Sequence, residues 1–352
     1  MSKVAVILVN YHDYAKRFLS ECRQSLLKQN YNQENINYYV VDNDSSEESF
    51  NYLTKEFPEA KILRRDDGNY SAANNLGFNQ AINDSCHYLI TVNMDTVMDE
   101  NWLTELVKAM KSSPDIGIAQ SKVLLYSSFK EENKVINTLG NKLNYLGFGF
   151  TGNYGEKDRG ENRYRNIKGY ASGCSFITTA DIFKKIGSWN EEYYMYHDDV
   201  EFSLKIKLAG YRIILAPKSI IYHKYEFLRS IKMFYFMERN RYLTLFIFAH
   251  KKYLFLISLP LFLIEIGMFV KSFIDKSFKQ RIKIYLYFAK FSTWEKIRAE
   301  RKKIKIFKKA SFSSLSKDFS SAIEFSEIES PLFKYFVNPF LRFFWFIVKP
   351  FI

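Results

Sequence analysis

The sequence predicts an α/β fold: a mostly parallel sheet with helices on both faces, followed by a helical, membrane-associating extension. Three observations lead there. From residue 3 to residue 125, β-branched apolar runs alternate with segments of helical spacing, and strands separated by helices pair in parallel. Three apolar runs end in carboxylates: VVDND (Val40–Asp44), LITVNMDT (Leu89–Thr96) and MYHDDVE (Met195–Glu201). Carboxylates there would lie at the carboxyl edge of the sheet, where open α/β sheets bind ligands. Finally, charge and aromatics are segregated. Residues from Leu228 onward carry 24 Lys and Arg against 9 Asp and Glu, and 22 of the 33 Phe, while residues 1 to 227 are near neutral.

The elements follow in order. Val4–Val9 reads as a buried first strand, with no signal peptide before it. Tyr14–Gln29 has helical spacing through Phe18, Cys22, Ser25 and Leu26. Asn37–Asp42 is the second strand, and Ser45 followed by Glu48 resembles a capping box. Lys61–Leu63 is a short strand. Asp67-Gly68-Asn69 is a turn with capacity for positive φ before a helix over Ser71–Asn83. A strand at Tyr88–Val92, a helix at Glu100–Lys111 and an apolar run at Ile116–Ala119 follow. Residues 133–168, rich in Gly, Asn and Tyr, suggest hairpins and a mobile loop. Helical signals return at Thr179–Ile186 and Val200–Ala209, then short strands at Ile213–Leu215 and Ile220–Tyr222.

Two regions result, 1–227 and 228–352. In the second, Tyr253–Val270 is mostly apolar but holds Pro260 and Glu265. A charge near the middle of such a run disfavours a true span, so an interfacial or re-entrant helix is expected. Lys296–Lys309 is basic, and Phe333–Ile352 mixes Phe, Trp and Ile with Lys334, Arg342 and Lys349. Lys and Arg interleaved with Phe suit an anionic membrane surface. They suit nucleic acid less, because long apolar runs replace base-reading polar residues. The three cysteines, Cys22, Cys86 and Cys174, lack metal-ligand spacing and are expected as free thiols.

Crowded carboxylates repel unless a cation joins them, and a divalent ion bridging to a diphosphate is the simplest solution. Asp95 follows a strand directly; its bland alternative is a turn residue. Asp198 and Asp199 open a helix, where acids are also favoured by the dipole. His223 ends the strand SIIY and is a candidate ligand. Asp42 ends the second strand, where its carboxylate can accept the imide N–H of uracil or thymine. Asn43, Asp44 and Ser45 beside it read as a turn.

The ordered set VILVNY, VVDND, DGNYSAANNLG, NMDT, GYASGCSFITT, YMYHDDVE and APKSIIYH resembles the family 2 glycosyltransferases. It is most similar to their bacterial rhamnosyltransferase-like branch, over about residues 3–225. The resemblance implies a GT-A fold, a Rossmann-like mixed sheet flanked by helices, and inversion at the anomeric carbon. It implies that Val9, Asn10, Tyr11, Asp42, Asn74, Asn93 and Asp198 bind the donor. Asp95 and His223 would hold Mn²⁺ or Mg²⁺, and Asp199 would be the catalytic base. Asp198 stands where Glu is usual, Glu201 where Asp is usual, and His197 replaces a common aromatic.

The expected function is therefore an inverting hexosyltransferase, such as a rhamnosyltransferase. It would move sugar from a UDP- or dTDP-sugar to a lipid-linked or polysaccharide acceptor in cell-surface glycan synthesis. The expected location is the cytoplasmic face of the plasma membrane, with no nucleic-acid partner. The alternatives are a nucleotidyltransferase on a related fold, whose usual Gly-rich turn is missing at Asn10–Asp13, and a non-catalytic membrane-surface binding protein.

Overall fold

The computed structural model describes residues 2–225, 233–325 and 331–352. The chain divides into two compact units: Met1–Asn141, Thr151–Lys207 and Tyr211–Tyr225 in one, Lys142–Phe150, Leu208–Gly210 and Glu226–Ile352 in the other. The boundary expected at 227/228 lies outside the described residues.

The first unit alternates β1 (Val4–His12), α1 (Tyr14–Leu27), β2 (Ile36–Ser45), α2 (Glu47–Glu56), β3 (Ala60–Arg65), α3 (Tyr70–Asn83), β4 (Tyr88–Val92), β5 (Thr96–Met98), α4 (Trp102–Lys111) and β6 (Ile116–Leu125). The short strands β7 (Ile136–Thr138), β8 (Lys142–Leu143), β9 (Gly149–Phe150) and β10 (Arg165–Asn166) come next. Then follow β11 (Ser175–Thr179), α5 (Ala180–Ile186), α6 (Asp198–Leu208) and β12 (Arg212–His223). Among the described residues the large sheet runs β10-β12-β6-β11-β4-β1-β2-β3, with β5 added beside β12 and β7 beside β6. Strands β4, β1, β2 and β3 are parallel, as are β6 and β12, while β11 is antiparallel to both β4 and β6. The sheet is thus mixed, as the resemblance implied. The chain leaves β1 toward β2 on one side and returns to β4 on the other, which creates a crevice at the carboxyl ends of β1 and β4.

β1 is buried on both faces, so it reads as a continuous apolar run. Val4, Val6 and Leu8 pack in one core with Leu19 of α1, Leu53 of α2 and Leu103 of α4. The opposite face receives α3, where a Cβ on Gly77 would lie 2.6 Å from Ile7. Several local expectations change. The α2 cap is Ser46, whose side chain accepts from Ser49 N, because β2 continues through Ser45. Asp44 is not in a turn: it takes φ 59 in a bulge opposite His12, a conformation Asp tolerates. Arg212–His223 is one strand instead of two, with its register broken between Ala216 and Ile220 around Pro217, which has no N–H for the ladder. The 151–168 stretch is pinned by a buried ion pair, Lys122 Nζ to Asp158 at 2.8 Å.

The second unit contains the β8–β9 hairpin and helices Phe234–Phe248, Lys251–Leu256, Ser258–Ile274, Phe278–Ala289, Phe291–Phe307 and Asn338–Val348. The apolar 253–270 stretch is divided between two helices that meet at Ile257. Glu265 turns inward: Tyr242 donates to it, and Arg281 lies 3.3 Å away and also reaches Glu238 at 3.2 Å. Arg241 completes the cluster at 3.0 Å from Glu238. On the other side of helix Ser258–Ile274, Leu259, Phe262, Ile266, Val270 and Phe273 are exposed at helical spacing, Phe262 by 62%. Phe336, Phe343 and Phe346 near the C-terminus are similarly exposed. Among the described residues no helix is long and apolar enough to cross a membrane.

Candidate active site

The carboxyl ends of the parallel strands bring the expected residues to one sheet edge. Asn10 of β1, Asp42 of β2 and Arg64 of β3 form one row across the sheet. Asn10 is fully buried, and its amide is spent inside the protein. It donates to Asp42 Oδ1 at 2.7 Å and accepts from Ala15 N at 2.8 Å. Asn10 thereby holds Asp42 in place. Ser45 also donates to Asp42 Oδ1, at 2.6 Å, while Oδ2 faces Arg64 at 3.6 Å. Val9 packs with Val41 and Ala73, and the Tyr11 ring lies against His12 with centroids 3.9 Å apart and the planes tilted by 42°.

In the turn before α3, Gly68 has φ +68, as Asp-Gly-Asn predicted; a Cβ there would strike the Tyr194 hydroxyl and approach Tyr11. Asn74 is fully buried, donating to Tyr70 O at 3.0 Å and accepting from Thr91 at 2.9 Å. It thereby ties α3 to β4. The neighbouring Asn75, which the sequence did not single out, exchanges hydrogen bonds with the Trp189 backbone. It fixes the segment leading to Asp198.

Asp95 and His223 meet. Antiparallel pairing of β5 with β12 sets His223 opposite Thr96, so the imidazole Nε2 stands 3.4 Å from Asp95 Oδ1. That oxygen is buried without a hydrogen-bond partner. Burial opposes charge on His223, but the adjacent Cys174 and Asp95 outweigh it and raise its pKa well above the ordinary range. A buried carboxylate oxygen without a hydrogen-bond partner, facing a ring nitrogen, fits a divalent cation. Among the described residues no set of three or more His, Cys, Asp and Glu is placed to hold an ion, so diphosphate and water would supply the remaining ligands.

Asp199 joins this centre through the backbone. Its Oδ2 accepts from Gly173 N at 3.1 Å, and its Oδ1 from Val200 N at 2.8 Å. The next residue, Cys174, neighbours His223, and its carbonyl accepts from Asn93 N at 3.0 Å. Asn93 Oδ1 in turn accepts from Tyr70 at 3.0 Å. Burial pushes the Asp199 carboxyl up to about 6 against the pull of those two amides. Asp198 is more deeply buried, and burial together with Asp199 pushes its pKa well up. Tyr194, Tyr196 and His197 all have positive φ just before this pair, a concentration of backbone strain of the kind found at functional sites. Glu201, in contrast, is committed to a buried pair with Lys205 at 2.6 Å.

The sequence model of Glycosyl transferase family 2 matches residues 5–187, just over half of the chain. The chain belongs to this family. The glycosyltransferase fold is also evident in solved structures. A mannosyltransferase from Pyrobaculum calidifontis, in complex with GDP-Man and Mn²⁺, aligns with a TM-score of 0.52 at 12% identity, covering 86% of each chain. GalNAc-T7 with UDP, GalNAc and Mn²⁺ aligns with a TM-score of 0.51 at 15% identity, covering 64% of this chain and 43% of that one. An uncharacterised protein of Sinorhizobium fredii is 26% identical over 196 residues, 54% of this glycosyltransferase-family chain. The chain spans only about a fifth of that relative's length, 21%.

Proposed function

We propose that this chain is a metal-dependent, inverting glycosyltransferase. It takes a sugar, a hexose such as rhamnose, from a UDP- or dTDP-sugar and passes it to a lipid-linked or polysaccharide acceptor in cell-surface glycan synthesis. The observation that carries this reading is the linkage of Asp199, Asn93 and His223 through the consecutive residues Gly173 and Cys174. One short backbone segment thereby joins a candidate base to a candidate cation site.

Asp199 takes the proton from the acceptor hydroxyl as its oxygen bonds to the sugar C1. The bond from C1 to the β-phosphate oxygen breaks on the opposite face, which inverts the centre and releases nucleoside diphosphate. A carboxyl pushed up to about 6 is basic enough for this task and still ionised near neutrality. Asp95 and His223 would hold Mn²⁺ or Mg²⁺, which when bound neutralises charge on the diphosphate. The orphaned Asp95 Oδ1 supports that role, and Mn²⁺ in the two similar folds agrees with it. Asp42 Oδ2 accepts the imide N–H of uracil or thymine, with Asn10 and Ser45 fixing its other oxygen.

The second unit would bring the enzyme to the cytoplasmic leaflet. Its exposed apolar stripe, Leu259 to Phe273, and the excess of 24 cationic over 9 acidic residues from Leu228 onward suit an interfacial helix bundle on anionic lipid. Incubation with Mn²⁺ and a panel of sugar nucleotides tests the reading. It predicts slow release of UDP or dTDP; pyrophosphate as product, or no turnover of any donor, contradicts it.

A further inference from the structure

The strand β7 brings to the cation site a residue that no motif marks. Asn137 is the middle residue of β7 and is buried. Val123 of β6 is matched with both Thr138 of β7 and Ile221 of β12, so β7 and β12 flank opposite edges of β6. Across that strand, Asn137 Oδ1 lies 3.1 Å from His223 Nδ1.

A carbonyl oxygen can only accept, so this contact requires the proton on Nδ1. A neutral imidazole then has its lone pair at Nε2, the nitrogen 3.4 Å from Asp95 Oδ1. With the amide reversed, NH₂ would donate to Nδ1, and the ring N–H would point from Nε2 toward Asp95. That tautomer offers no lone pair to a cation. We propose that Asn137 is a positioning residue that selects the metal-binding tautomer of His223. The inference rests on the reading of Asp95 and His223 as cation ligands. Asn137 Nδ2 is buried with no hydrogen-bond partner, so the contact of Oδ1 with His223 is the hydrogen bond that fixes this side chain.

The test uses full-length protein and Mn²⁺ alone, with free ion measured by electron paramagnetic resonance. Loss of an outer-shell partner costs a metal site about 10–100-fold in affinity. Asn137→Leu, which cannot accept, should weaken Mn²⁺ binding by that factor. Asn137→Asp, which can only accept, should bind Mn²⁺ as tightly as the wild type or more so, and this rescue separates the role from general packing. The histidine ring ¹³Cδ2 shift of the metal-free protein, taken at a pH high enough to leave the His223 ring neutral, should report the Nδ1–H tautomer in the wild type and a change in Asn137→Leu. If His223→Ala loses Mn²⁺ while Asn137→Leu keeps it, the inference fails and the cation site stands. Equal loss in the Leu and Asp variants likewise overturns the inference. If the wild type binds no Mn²⁺, or His223→Ala binds it equally well, the cation site itself is refuted.

Discussion

The Gly173 amide donates to Asp199 Oδ2 at 3.1 Å, which aims a carboxylate from the first turn of α6 at the segment that also meets Asn93 and His223. Asp199→Asn keeps an oxygen for that amide but removes the base. Turnover should fall by about 10²–10⁴-fold, the usual contribution of general base catalysis, with donor affinity nearly unchanged. Steady-state kinetics and a UDP titration check both parts.

The Asp199 pKa near 6 predicts an acid limb in kcat/KM. The base must be ionised, so activity should be full above this value and fall as pH drops through it. An ordinary aspartate would hold activity to about pH 4. Asp198 is raised as well, so the limb belongs to the pair. A profile flat from pH 8 to pH 4.5 would rule out the assignment.

The Lys122–Asp158 pair sits almost wholly inside the first unit. Asp158→Ala leaves an ammonium buried without its partner, and breaking such a pair costs about 3–5 kcal/mol. The urea midpoint should fall accordingly. Lys122→Met combined with Asp158→Leu, which removes both charges, should recover much of the loss.

The proposed membrane attachment rests on the outward stripe of helix Ser258–Ile274. Replacing Phe262, Val270 and Phe273 by Ser removes exposed side chains, so the fold should persist. Each large apolar group contributes about 1.5–3 kcal/mol when it leaves water. Co-sedimentation with vesicles rich in anionic lipid should therefore drop at least about tenfold, with Mn²⁺ binding unaltered. Unchanged co-sedimentation would remove this surface from the account.

Most of the first unit was legible because its signals are local. A continuous apolar run gave β1, and helical spacing gave α1. The order of motifs gave the family. What stayed hidden depends on partners distant in the chain. Nothing local to Ser175–Thr179 says that it inserts antiparallel between β4 and β6. Asn10 and Asn74 sit in the expected motifs, yet their amides turn inward because Asp42, Tyr70 and Thr91 need partners. Asn137 lies 86 positions from His223 and carries no signature of its own. Glu265 looked like a penalty in an apolar run, and only the positions of Arg281 and Tyr242 explain it.

Calorimetric titration of UDP with and without Mn²⁺, into the wild type, Asp95→Asn and Asp199→Asn, measures whether Asp95 holds a cation beside the diphosphate. Mn²⁺ should enhance UDP binding in the wild type and Asp199→Asn, and the enhancement should be lost in Asp95→Asn. Equal Mn²⁺ enhancement in Asp95→Asn and the wild type would contradict that role of Asp95.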